Sequence, residues 1–217
     1  ASTFIPELGR CVTSLCSPRP EDCNSPGDED GNGLADCDDP VCSGLPACVT
    51  VDVDLGFGDI EDVSGDAGGS YSQTVDCTLT LSNNGFGVGA QGWSISVAAD
   101  GTSIASITTD GTVGADVAQG GLRSVGFEKS QTTSEAGNGS DCDGFNGAVS
   151  AVVLSFTQPV TLRAEGTSVI AKIGVEGELT ADTGSCVGGR LFYANGCQGS
   201  GQPVANAITI NAQTRVP

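Results

Sequence analysis

The chain has no histidine and no methionine, and only eight of its 217 residues are Lys or Arg. Each shortage closes off a class of function. Without histidine there is no Ser-His-Asp or Cys-His relay and no imidazole for zinc. Eight basic residues against 27 Asp and Glu leave a net charge of −19. Nucleic acid is therefore excluded as a partner, because phosphate binding needs clustered Lys and Arg. No apolar run is long enough to span a bilayer, so membrane insertion is not expected. One Trp and two Tyr are few for a cleft that cleaves sugars. Periodic runs of strong helix formers are missing, and no helix is expected. The start at Ala1, with no methionine anywhere, leads to the expectation of a removed signal peptide and an extracellular protein.

What the chain has in excess is glycine, at 33 residues, and cysteine, at ten. No CxxC pair points to zinc, so the cysteines read as disulfides of an oxidising compartment. Cys11, Cys16, Cys23, Cys37, Cys42 and Cys48 fall in residues 1–48, and Cys77, Cys142, Cys186 and Cys197 in residues 49–217. Both counts are even, so each region is expected to close its own bridges, as two domains with those bounds. The first region has no hydrophobic period and few large apolar residues. It needs staples to hold a fold. In the second, Cys186 and Cys197 bracket a short Gly-rich loop holding LFYANG and are expected to pair, which leaves Cys77 for Cys142.

From Val49 the pattern changes. VTVDVDLGF sets Val49, Val51, Val53, Leu55 and Phe57 on one face, and QTVDCTLTL does the same with Val75, Cys77, Leu79 and Leu81. Such alternation marks half-buried strands. GWSISV, TSIASIT, GLRSVGF, AVSAVVLSF, PVTLRA, SVIAKIGVEGEL and ANAITINAQTRV follow, separated by turn signals such as SNNG, ADG and TDG. The fold class expected is all-β, an antiparallel β-sandwich of about nine strands after a small disulfide-rich region. Trp93 follows the strand pattern and is expected in the core.

Residues 27–39 read GDEDGNGLADCDD. Numbered as an EF-hand loop from Asp28, the stretch places Asp28, Asp30 and Asn32 at positions 1, 3 and 5. Gly33 falls at position 6, where the loop turns sharply. Leu34 at position 7 would supply a backbone carbonyl, with Asp36 at position 9 and Asp39 at position 12. These oxygens can surround one hard cation, and their number suits calcium better than magnesium, which keeps several of its waters. No helix is expected after the loop, because Pro40 and Cys42 follow it.

DEDGNGLADCDD, preceded by EDC, resembles the calcium loops of thrombospondin type 3 repeats. It is also similar to the loop of dockerins, which carries Asp at position 12, and to cysteine-flanked loops in secreted proteins of planctomycetes and myxobacteria. Further on, SNNGFGVGAQGWSISVAADG, AVSAVVLSF and EGTSVIAKIGVEGEL follow the segment order of cohesin-like domains over most of residues 50–182. That resemblance implies a jelly-roll sandwich that binds or assembles outside the cell.

Sites for chemistry are few. Lys129 and Lys172 are the amines considered, and Glu128, Glu176 and Glu178 the carboxylates for a two-acid glycosidase. Lys172, Glu176 and Glu178 alternate against Ala171, Ile173, Val175 and Leu179, which marks a solvent face. The chain is not expected to be an enzyme. Asn138, in NGS, is a glycosylation candidate, and DCDGFNG reads as an Asx-rich turn. The function expected is a secreted, calcium-binding structural or adhesive protein that self-assembles at the cell surface or in extracellular filaments. ASTFIPELG or ANAITINAQTRVP would add a strand to a neighbour. The competing expectation is a glycan- or protein-binding module of an extracellular scaffold.

Overall fold

The computed structural model describes residues 20–23, 25–45, 48–59, 68–114, 127–133, 144–154, 162–182, 185–187, 189–198 and 203–217. It also describes the backbone of 4–5 and 10–11; at 128, 133, 180–182, 185–187 and 198 the backbone alone is described. Asn138, Cys142 and the first three residues of DCDGFNG lie outside the described residues. The chain divides into two compact units, Ala1–Thr50 and Val51–Pro217.

The first unit contains a minimal hairpin, β1 (Phe4–Ile5) with β2 (Arg10–Cys11), and one 3-10 turn at Asp36–Asp38. Bridges Cys23–Cys42 and Cys37–Cys48 tie the rest together. Their presence places the protein in an oxidising environment.

The second unit is almost all strand. A four-stranded sheet runs in the order β3 (Asp52–Phe57), β4 (Ser70–Ser82), β9 (Gly166–Glu178), β6 (Ser103–Thr108). A six-stranded sheet runs β16 (Gln213–Arg215), β15 (Ala207–Ile210), β5 (Ala90–Asp100), β8 (Asn146–Val153), β7 (Phe127–Thr133). Its sixth member, β12 (Arg190–Tyr193), pairs with the second half of β5 beyond β15. Every pairing is antiparallel. Small hairpins β10 (Thr180–Asp182) with β11 (Ser185–Val187), and β13 (Cys197–Gln198) with β14 (Pro203–Val204), complete it.

Alternation explains the assembly. Val75, Leu79 and Leu81 of β4, Ile104 and Ile107 of β6, and Ile170, Ile173 and Val175 of β9 form one core cluster. Trp93, Ile95 and Val97 of β5, Val152 of β8, and Ile208 and Ile210 of β15 complete it from the other sheet. Each fully buried Ile or Leu contributes roughly 1.5–3 kcal/mol, and one apolar face per sheet can only be covered by the other. Trp93 is 4 % exposed and belongs to this core. Gly89 opens β5 against the carbonyls of Leu162 and Arg163, where a Cβ would have no room. At one edge the sheets are joined by Tyr193 of β12. Its hydroxyl donates to the carbonyl of Gly56 at 2.8 Å and its ring stacks on Phe57, centroids 4.7 Å apart.

Three sequence expectations are corrected. Cys77 was expected to bridge to Cys142, but it is a free thiol, fully buried. Its place on the core face of β4, between Val75 and Leu79, points its sulfur at apolar groups and Tyr193. ANAITINAQTRV was expected as one strand but folds as the β15–β16 hairpin about Asn211 and Ala212, whose φ values are +48° and +59°. β12 was expected as loop. No helix among the described residues is long and apolar enough to cross a membrane.

Candidate functional site

The acidic loop of the first unit is organised by carboxylates that accept backbone N–H groups. Asp28 receives those of Gly31 at 2.7 Å, Asn32 at 3.0 Å and Gly33 at 2.8 Å. An Asp at the start of such a turn closes the chain around its own side chain. Gly31 and Gly33 have φ of +75° and +92°, which is the left-handed backbone that keeps the turn tight.

The carboxamide of Asn32 then joins the two ends. Its Nδ2 donates to Asp30 Oδ2 at 3.1 Å and to Asp39 Oδ2 at 2.6 Å, while its Oδ1 accepts the N–H of Leu34 at 2.8 Å. Asp39 is 1 % exposed, and its other oxygen accepts the N–H of Val41 at 2.7 Å. Positions 1, 3, 5 and 12 of the loop are thus drawn together. Leu34 has a side chain 42 % exposed. Asp36 enters through its backbone, with φ +50° and its N–H on Glu21.

Glu21 is the residue that the loop template misses. It is 9 % exposed. One carboxylate oxygen accepts the N–H of Glu29 at 3.0 Å and of Asp30 at 3.4 Å, and the other that of Asp36 at 3.1 Å. The Cys23–Cys42 bridge sits two residues after Glu21 and three after Asp39, and it ties the two segments together. Carboxylate oxygens of Glu21, Asp28 and Asp30 lie within 4.8 Å of one another. Two oxygens bound to one Ca2+ at about 2.4 Å can be no farther apart than about 4.8 Å. The three acids can therefore share one metal ion. The signal for Glu21 was present in EDC just before the loop, but nothing in its spacing assigned it a role.

The other candidates stand apart. Glu176 and Glu178 are exposed on β9, and Lys172, half-buried on the same strand, lies across from Asp76 and Thr108. Glu128 belongs to β7 in the other sheet. Cys77 has its thiol pushed up from 9.0 to about 12, chiefly by burial; the Tyr193 hydroxyl lowers it and Asp76 raises it further. Tyr193 is raised as well, by burial first and then by Cys77. Both stay protonated and carry no nucleophile. Cys197 is disulfide-bonded, and the side chain of Cys186 lies outside the described residues.

No protein-family model matches this chain, and neither a curated protein nor a solved structure does.

Proposed function

We propose that the protein is a secreted structural module of extracellular assemblies, whose first unit binds one calcium ion. The observation that carries this reading is the convergence of Glu21, Asp28 and Asp30 within 4.8 Å inside a doubly bridged loop. Asn32 and Asp39 complete the oxygen set when the Asn32 carboxamide turns its oxygen inward. Its N–H2 group now holds Asp30 and Asp39 together as a cation would. Calcium fits such a crowded set better than magnesium. The bridges hold the carboxylates close before the ion arrives, so binding does not have to order the whole loop.

Assembly follows from charge and edges. A chain of charge −19 repels its copies, and calcium lowers that repulsion. Ile208 and Ile210 of β15 are fully buried in their own core, so β15 is not the strand offered to a neighbour. In the smaller sheet β3 lies at the edge, with only β4 beside it in the ladder among the described residues, and an open edge accepts another strand.

Calorimetry on the full chain tests the metal. Calcium is expected to bind with one-to-one stoichiometry, and Asp30→Asn or Glu21→Gln to weaken it at least about tenfold, by loss of one charged ligand. Magnesium binding of equal strength, or calcium binding indifferent to both variants, overturns the reading. Light scattering in calcium against chelator tests assembly. Particles that stay monomeric at high concentration in calcium overturn that part alone.

A further inference from the structure

Five asparagines of this chain precede a glycine: Asn32, Asn84, Asn138, Asn146 and Asn195. In such a pair the glycine nitrogen can attack the side-chain carbonyl carbon of the asparagine before it and close a succinimide ring, because no Cβ blocks the approach. The fold decides which pair reacts, by what it does with the N–H that is lost and the carbonyl that is attacked. We propose that Asn32 is a self-modifying residue, converted in the folded protein to aspartate or isoaspartate with release of ammonia.

The hydrogen bonds around Asn32 are those the reaction uses. The attacking N–H of Gly33 donates to Asp28 Oδ2 at 2.8 Å, so a carboxylate already holds the proton that the nitrogen gives up. The N–H of Leu34 donates to Asn32 Oδ1 at 2.8 Å. It polarises the attacked carbonyl and stays as donor to the oxyanion that forms. The same bond turns the carboxamide back along the chain, toward the Gly33 nitrogen. Gly33 has φ of +92°, and a Cβ there would meet nothing within 4 Å. Asn32 and Gly33 are both exposed, so water reaches them. As the N–Cγ bond forms, the Gly33 proton passes to Asp28. The Cγ–Nδ2 bond breaks, and Nδ2 leaves as ammonia with one proton returned through solvent. Water then opens the ring at either carbonyl.

The other described pairs are held differently. Asn84 is 8 % exposed, its Nδ2 donates to the carbonyls of Val88 and Ala164, and the Gly85 N–H donates to the Asn83 carbonyl at 3.1 Å. The Gly196 N–H donates to the carbonyl of Val204 at 2.7 Å, and Asn195 Oδ1 accepts from Asn206. Gly147 is fixed in the ladder opposite Ala98 and Thr133. A backbone carbonyl takes a proton far less readily than a carboxylate does. The reaction stands apart from the calcium reading, since no step uses a metal. Its product bears on that reading: a carboxylate replaces the NH2 group that holds Asp30 to Asp39.

The test is peptide mapping by mass spectrometry after the full chain is held near neutral pH, with chelator, in heavy-oxygen water. Asn32 is expected to convert at least about tenfold faster than Asn84, Asn146 and Asn195, and faster in the folded protein than in the reduced, alkylated and unfolded chain. Asp28→Asn is expected to slow it at least about tenfold, since a positioned base contributes roughly a hundredfold or more. Asp38→Asn, at an exposed acid of the same loop, is expected to leave the rate unchanged. Mapping of the Cys23–Cys42 and Cys37–Cys48 bridges shows whether each variant is folded. The proposal is overturned if the unfolded chain converts as fast as the folded one, if Asn32 does not outpace the other pairs, or if Asp28→Asn with both bridges intact converts at the original rate. Where Asp28→Asn loses a bridge, the comparison of folded with unfolded chain decides.

Discussion

A thiol on the core face of β4, beside Val75 and Leu79, cannot reach water as a thiolate. Burial lifts Cys77 from 9.0 to about 12, so the fold favours the protonated form. The sign follows: stability is intact below the unfolded value near 9 and is lost as pH rises from there towards 12. Tyr193 titrates upward for the same reason and steepens the loss. Denaturant midpoints are expected to fall between about pH 8.5 and about pH 11, and Cys77→Ala to flatten part of that slope. At about pH 8 a thiol reagent is expected to modify Cys77 only after unfolding; labelling of the native protein within minutes would contradict the buried placement. The strand alternation in QTVDCTLTL already put Cys77 among inward residues, while the even number of cysteines suggested a bridge. Parity is a property of the whole chain and holds no geometry, whereas alternation is local and does. Glu21 was illegible for the opposite reason. Its approach to Asp28 and Asp30 goes with a carboxylate that accepts the backbone N–H groups of Glu29, Asp30 and Asp36, and no spacing rule for the loop announces such contacts.

Strands with two-residue periodicity were legible wherever one face meets the core. β3, β4, β5, β6, β8 and β9 all contain the alternating segments that announce them. The failures have a common cause in exposure or brevity. β7 runs over Phe127–Thr133, where GLRSVGF had placed a strand ending at Phe127. It ends its sheet, Phe127 and Lys129 are exposed, and such an edge shows no hydrophobic period. β12 is four residues long, too short to show one. The turn of the β15–β16 hairpin was hidden because Asn211 and Ala212 do not carry the usual Asn-Gly pair. Two consecutive positive φ values match the primed turn that suits twisted strands. Alanine is strained there by about 1–2 kcal/mol. Ala212→Gly is therefore expected to raise stability by roughly 0.5–1 kcal/mol, after the entropy that glycine adds to the unfolded chain. Chemical denaturation measures it, and a destabilised variant would mean that the turn is not of this type.

The two units are held by different physics, and Trp93 gives a way to watch one of them alone. It is the single tryptophan and lies in the core between the sheets. The second unit rests on apolar burial across two sheets. The first has two bridges that span 19 and 11 residues, each contributing about 3 kcal/mol by restricting the unfolded chain, together with the calcium proposed above. Its bridge at Cys37 is exposed on one side and is open to attack by a thiol. Chelator and mild reductant are therefore expected to raise amide exchange across residues 20–48. Trp93 emission should stay blue-shifted, and the unfolding midpoint it reports should move by less than about 0.5 kcal/mol, the limit for independent regions. Stronger denaturant then unfolds the sandwich in a second step. If chelation alone lowers the Trp93 midpoint, the stability of the sandwich depends on calcium and the separate melting of the two units is wrong.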